Sequence, residues 1–207
     1  MDTGGFTKVG EIRIRLWWVN VIALVITVPV MLLFAVAETK LHGPASPTGW
    51  DLLCFGVAYG IQLAIHELLH AVGYIGFGGL RGNELKFGIN WKALAPFCNC
   101  LSPVRIDSFR RSTLLPILAL FPLSLAVWLI FAQWWLALLA AATLLGGTGD
   151  VIVILKTLHY SSNLFILEHP SGIGGDVFAL TDELRSQDQI SPRSRTITPS
   201  DESDGAA

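Results

Sequence analysis

The chain has 207 residues, of which 52% are hydrophobic and only 14% charged, with a net charge of -2. A water-soluble domain carries about 25% charged residues, so the composition is that of a membrane protein, with a lipid bilayer as its surroundings. The near-zero charge and the absence of a dominant basic patch exclude a nucleic-acid binder. The three cysteines, Cys54, Cys98 and Cys100, form neither a disulfide framework nor a four-thiolate zinc site, and read as reduced and structural.

A membrane span takes about 20 mostly apolar residues. The first runs from Leu16 to Ala37 without a charge and opens on Trp17-Trp18, an interfacial anchor. Ala35-Val36-Ala37 resembles a cleavage site, but the apolar run exceeds the 7–15 residues or so of a signal peptide, so an uncleaved anchor is expected. A second stretch, Leu52 to Phe77, is interrupted only by His66, Glu67 and His70. Thr113 to Leu155 is long enough for two helices, with Gln133-Trp134-Trp135 as the turn between them. Thirteen of the 14 Lys and Arg residues lie before span one, between spans two and three, or at and after the end of span four. That bias places both termini and the central loop in the cytosol.

The central loop from Gly78 to Ser112 contains two short, roughly alternating segments, Leu85–Asn90 and Ala95–Cys100, bounded by Gly, Asn and Pro. They predict a small β-hairpin at the cytosolic face. Leu164 to Leu184 is expected to add a further short element. The fold class is therefore an all-α membrane protein with four transmembrane helices and a cytosolic β-hairpin between helices two and three. Its divisions are a cytosolic segment over 1–15, the membrane domain over 16–185 and a disordered Ser/Pro/Asp-rich tail over 186–207.

Chemistry concentrates in His66-Glu67-Leu68-Leu69-His70. Residues four apart on a helix share one face, so both imidazoles can reach one ion. Zinc accepts neutral imidazoles, and a glutamate beside it can take a proton from water. Three ionisable groups at membrane depth are costly, and metal ligation with a wet cavity offsets that cost. A catalytic zinc site needs a third protein ligand. Gly76 stands where a metzincin would place a third histidine, and Glu84 lies in the basic loop. Asp150, the one acid in the last two spans, is the better candidate, with His159 and Glu168 in reserve. Counted from the outer ends of their helices, His66, His70 and Asp150 all lie about 21–27 Å deep at 1.5 Å per residue. The stripe Gly56, Gly60, Ala64 and the run Gly146, Gly147, Gly149 are expected to allow close helix approach. Pro116 and Pro122 should bend helix three. His42, His159 and His169 read as surface residues.

The HELLH helix, the loop reading KFGINWKALAPFCNC and the late Gly-Asp together resemble a bacterial zincin peptidase family once catalogued as a domain of unknown function. That family is in turn similar to the site-2 proteases, which cut substrates within the membrane. The resemblance spans about Leu52 to Leu184. It implies that His66, His70 and Asp150 bind zinc and that Glu67 is the general base. It also implies that a strand of the hairpin, Phe87, Gly88, Ile89 and Asn90, holds unwound substrate by strand addition. The chain departs from site-2 proteases in its Gly149-Asp150-Val151 setting and in having no PDZ-like domain. The function expected is a zinc metalloendopeptidase of the bacterial cytoplasmic membrane acting on membrane-anchored proteins. The alternative is a membrane protein that binds or transports metal without hydrolysis.

Overall fold

The computed structural model describes residues 5–90, 95–169 and 173–181. Its elements in chain order are β1 (Phe6–Ile14), α1 (Leu16–Leu41), α2 (Gly49–Gly78), β2 (Leu85–Asn90), β3 (Ala95–Cys100), β4 (Val104–Arg105), α3 (Ile106–Phe131), α4 (Trp134–Gly146), α5 (Thr148–Thr157), β5 (Phe165–Glu168) and β6 (Ile173–Leu180). Among the described residues, four helical segments are long and apolar enough to cross a membrane: Trp17–Leu41, Gly49–Gly78, Ile106–Phe131 and Trp134–Thr157. At 1.5 Å per residue the 30-residue α2 is about 45 Å long.

The hairpin falls on the expected residues, with β2 and β3 antiparallel from Leu85 opposite Cys100 to Asn90 opposite Ala95. The fold is nevertheless not all-α. A four-stranded antiparallel sheet, ordered β1-β6-β5-β4, lies at the same end of the bundle. β1 pairs along its length with β6, from Phe6 opposite Leu180 to Ile14 opposite Ile173. The N-terminal segment is thereby joined to the chain that follows α5. The expected disordered tail lies outside the described residues.

Each long helix has a physical start and stop. Thr48 and Asp51 close a reciprocal capping box at the start of α2, and Gly79 ends it in the left-handed conformation at φ 69°. α3 begins at Ile106, inside the stretch read as loop, so Arg110 and Arg111 belong to its first turns. Arg110 reaches across to the end of α5, donating to the Thr157 and Tyr160 carbonyl oxygens at 2.5 and 3.0 Å and to Thr157 Oγ1 at 3.0 Å. A cation on the last carbonyls of a helix is favourable both as a donor and towards the dipole.

The fourth span is broken into α4 and α5 at Gly147. A Cβ there would stand 2.7 Å from Ile117 Cδ1 on α3, so the break sits where two helices approach too closely for a side chain. The stripe on α2 behaves otherwise: Gly56 and Gly60 have open space where a Cβ would be. Small size at those positions does not serve packing against another helix among the described residues; both glycines face outward.

Two buried clusters flank the middle of the bundle. One, at the sheet end, includes Ala71, Tyr74, Cys100, Phe109, Val153 and Val177. The other, at the opposite end, includes Phe34, Trp128, Leu136 and Ala140. There His42 is an exposed residue, as expected, but its side chain turns inward: its Nδ1 lies 3.0 Å from Glu38 Oε2, which also accepts the Trp128 indole N–H at 2.5 Å. Glu38 is 6% exposed, and these partners satisfy a carboxylate that would otherwise be costly to bury.

Candidate metal centre

The site lies between the two clusters, where α2, α3 and α5 converge. His66 and His70 are successive turns on one face of α2, with ring centroids 4.8 Å apart and planes at 83°. Asp150 occupies the first turn of α5. His66 Nε2 lies 3.1 Å from Asp150 Oδ2, His70 Nε2 lies 3.5 Å from it, and the two imidazole nitrogens are 3.2 Å apart. The three donor atoms form a nearly equilateral triangle. Donors at about 2.0–2.1 Å from one tetrahedral zinc stand about 3.3–3.4 Å from each other. The triangle therefore has the dimensions of one face of a zinc coordination tetrahedron.

A second observation agrees. Asp150 Oδ2 is buried and, although close to both imidazoles, receives no well-aligned hydrogen bond. An orphaned buried carboxylate oxygen calls for a partner, and a cation facing all three lone pairs supplies it. The residues present thus fit a zinc ion. His159 and Glu168, the reserve ligands, stand elsewhere. His159 is exposed, while Glu168 Oε2 accepts the Tyr74 hydroxyl at 3.1 Å and the Cys100 N–H at 2.8 Å.

Glu67 presents its carboxylate within 4.8 Å of the donor atoms of His66 and His70. It also lines a cleft of about 360 Å³ together with Ala64, Phe87, Gly88, Ile89, Pro96 and Phe97. Three of the four expected hairpin residues are therefore on the cleft wall beside Glu67, and Asn90 is not. Phe87 and Ile89 are half-exposed, at 53% and 52%. β3 is turned toward the body of the protein, its Cys100 amide held by Glu168. Among the described residues, β2 pairs with β3 alone.

Several neighbours of the site were not expected from the sequence. Ser112 on α3 offers its carbonyl oxygen to His70 Nδ1 at 3.2 Å. Gln62, one turn before His66, donates to Ser124 Oγ at 3.2 Å and to Thr143 Oγ1. The signal available was the four-residue series Gln62, His66, His70, a polar stripe along an apolar helix. Glu11, His169 and Asp176 form another group with donors within 4.8 Å of one another, on the sheet. Lys8 already pairs with Asp176 at 2.7 Å and Glu11 at 3.2 Å. Its hydrogen bond holds the Asp176 carboxyl below the usual carboxylate range, so this group is a surface ion-pair network.

The family described as "Putative zincin peptidase" matches residues 60–165. The chain belongs to this family. The match covers half of the chain and contains His66, Glu67, His70, the hairpin and Asp150. No curated protein and no solved structure matches the chain. Membership in a zincin family supports a metallopeptidase and zinc as its metal at the level of the family, and the His66, Glu67, His70 group is where the fold offers a site.

Proposed function

We propose that the protein is a membrane-embedded zinc metallopeptidase that hydrolyses peptide bonds of membrane-anchored proteins, in the manner of the site-2 proteases. The observation that carries the reading is the triangle of His66 Nε2, His70 Nε2 and Asp150 Oδ2, with sides of 3.1 to 3.5 Å, inside four membrane-length helices. These three residues would hold the zinc. When bound, zinc supplies Lewis acidity, polarising a carbonyl and making water a nucleophile near neutral pH.

Glu67 would take the proton from the attacking water and return it to the leaving amine. This is the work of a general base that becomes a general acid. Its place on the cleft wall, beside the imidazoles, suits both transfers. β2 would hold the substrate, because Phe87, Gly88 and Ile89 line the cleft beside Glu67 and a strand edge can pair with an extended segment. A peptide must be unwound to expose its carbonyl, and non-helical backbone at membrane depth is tolerated only within protein or a wet cavity. The distribution of Lys and Arg supports both termini being cytosolic, and the membrane would be the bacterial cytoplasmic one that the family resemblance implies.

The test is Glu67→Gln, assayed for bound zinc and for cleavage of a co-expressed panel of tagged single-span membrane proteins. The expected result is zinc content equal to wild type and cleavage reduced by about 10² to 10⁴. Cleavage unchanged in the variant would remove Glu67 from the chemistry. Zinc uptake into vesicles that survives in the variant, with no cleavage by either protein, would instead favour a metal carrier.

A further inference from the structure

We infer that Pro116 is a positioning residue for His70, acting through the carbonyl oxygen of Ser112. In an α-helix that oxygen accepts the N–H of the residue four positions on. For Ser112 that residue is Pro116, which lies inside α3 and has no N–H to give. A proline ring also crowds the carbonyl four residues before it and pushes it away from the helix axis. The Ser112 oxygen is thus both released and turned outward, and it meets His70 Nδ1 at 3.2 Å.

The surroundings leave little freedom. Ser112 is fully buried, Pro116 is among the most buried side chains, and His70 is 7% exposed. The Ser112 hydroxyl is committed to the Ser108 carbonyl at 2.8 Å. Gly73 lets α3 come near enough: a Cβ there would be 2.6 Å from Ser112 Cα. Nδ1 facing a carbonyl must carry the proton, which turns Nε2 toward Asp150 and His66. Imidazole ligands are commonly fixed in this way by an acceptor behind the ring. Pro116 therefore sets which nitrogen of His70 is available, without touching the site itself.

The consequence for metal binding rests on the zinc reading above, whereas the His70–Ser112 contact does not. The experiment uses the full-length chain labelled with ¹⁵N-histidine in detergent micelles, with His70 assigned by its loss in His70→Asn. Wild type should show a His70 Nδ1 proton protected from exchange with water. Pro116→Ala returns an N–H to compete for the Ser112 oxygen, so that proton should exchange faster. Zinc affinity, read by chelator competition, should fall about 10- to 100-fold. The melting temperature should hold or rise, because a helix-interior proline is itself unfavourable. Gly73→Ala should loosen the Nδ1 proton the same way by holding α3 off, and the two changes together should cost less than their product.

A His70 Nδ1 that carries no proton in wild type, or one that exchanges freely with water, would overturn the assignment. So would Pro116→Ala with wild-type Nδ1 protection and wild-type zinc affinity. If that variant fails to fold, the wild-type protection and Gly73→Ala decide. Wild type with the protected Nδ1 proton but no zinc binding would sink the peptidase reading while leaving this assignment intact.

Discussion

His66 Nε2 on α2 and Asp150 Oδ2 on α5 stand 3.1 Å apart, the shortest side of the donor triangle. The contact ties the break in the fourth span to the HELLH helix, since Asp150 is in the first turn after Gly147. Removing the carboxylate should therefore remove a ligand. Wild-type protein purified with zinc is expected to hold about one ion per chain, following the usual three-ligand catalytic site. Asp150→Ala should lose most of it, measured by elemental analysis of the detergent-solubilised protein. Retention of a full equivalent in the variant would move the third ligand away from Asp150.

Arg110 is the brace that keeps α5 in place. It holds the Thr157 and Tyr160 carbonyls, and Thr157 is fully buried. Hydrogen bonds from a charged donor contribute about 1.5–3 kcal/mol, and an orphaned buried carbonyl costs more than an exposed one. Arg110→Ala should lower the melting temperature in detergent by that order of energy and weaken zinc binding, because α5 also carries Asp150. A variant as stable as wild type would mean the brace carries no weight.

Much of this was legible in the sequence, for identifiable reasons. His66, Glu67 and His70 stand out because their spacing is helical and their surroundings apolar. Asp150 stands out because it is a lone acid at the same depth. The hairpin announces itself by alternation bounded by Gly, Asn and Pro. The four-stranded sheet does not, because β1 and β6 meet from opposite ends of the chain and a bulge between Lys8 and Gly10 interrupts their register. The glycine stripe misled because small residues mark close packing only when another helix is present; Gly73 has one against it and Gly56 does not. The Ser112 carbonyl was hidden since its availability depends on Pro116, a residue that reads from sequence only as a bend.

The hairpin's cysteines give a check on its packing. Cys98 and Cys100 are free and buried. Burial pushes the Cys98 thiol up to about 12 and that of Cys100 higher still. The thiolate is the reactive form, so at pH 8 both should resist alkylation in the folded protein and react once denatured. The sign follows from the raised values: the folded state favours the neutral thiol, so this stabilisation is lost as pH rises above the ordinary thiol value of 9.0. Rapid labelling of either residue in the native protein at pH 8, read by mass spectrometry, would contradict the packing of β3.

Glu168 holds that strand from behind. Its Oε2 takes the Cys100 N–H and the Tyr74 hydroxyl, so it joins β3 to α2 two turns from the zincin motif's first histidine. Glu168→Ala leaves both donors without an acceptor, a loss of about 1–3 kcal/mol for each buried group. Glu168→Gln keeps a carbonyl oxygen with two lone pairs and should stay near wild type. Their difference should appear in melting temperature and in Cys100 labelling, which rises when the strand loosens. Burial pushes the Glu168 carboxyl above its ordinary 4.5. The folded state therefore favours the protonated acid, and its stabilisation is complete below pH 4.5 and declines as pH rises toward the raised value. Glutamine cannot ionise, so Glu168→Gln should gain on wild type over the interval above pH 4.5. A variant that loses ground over that interval would show that the carboxylate form, not the acid, is the one that Tyr74 and Cys100 were arranged to hold.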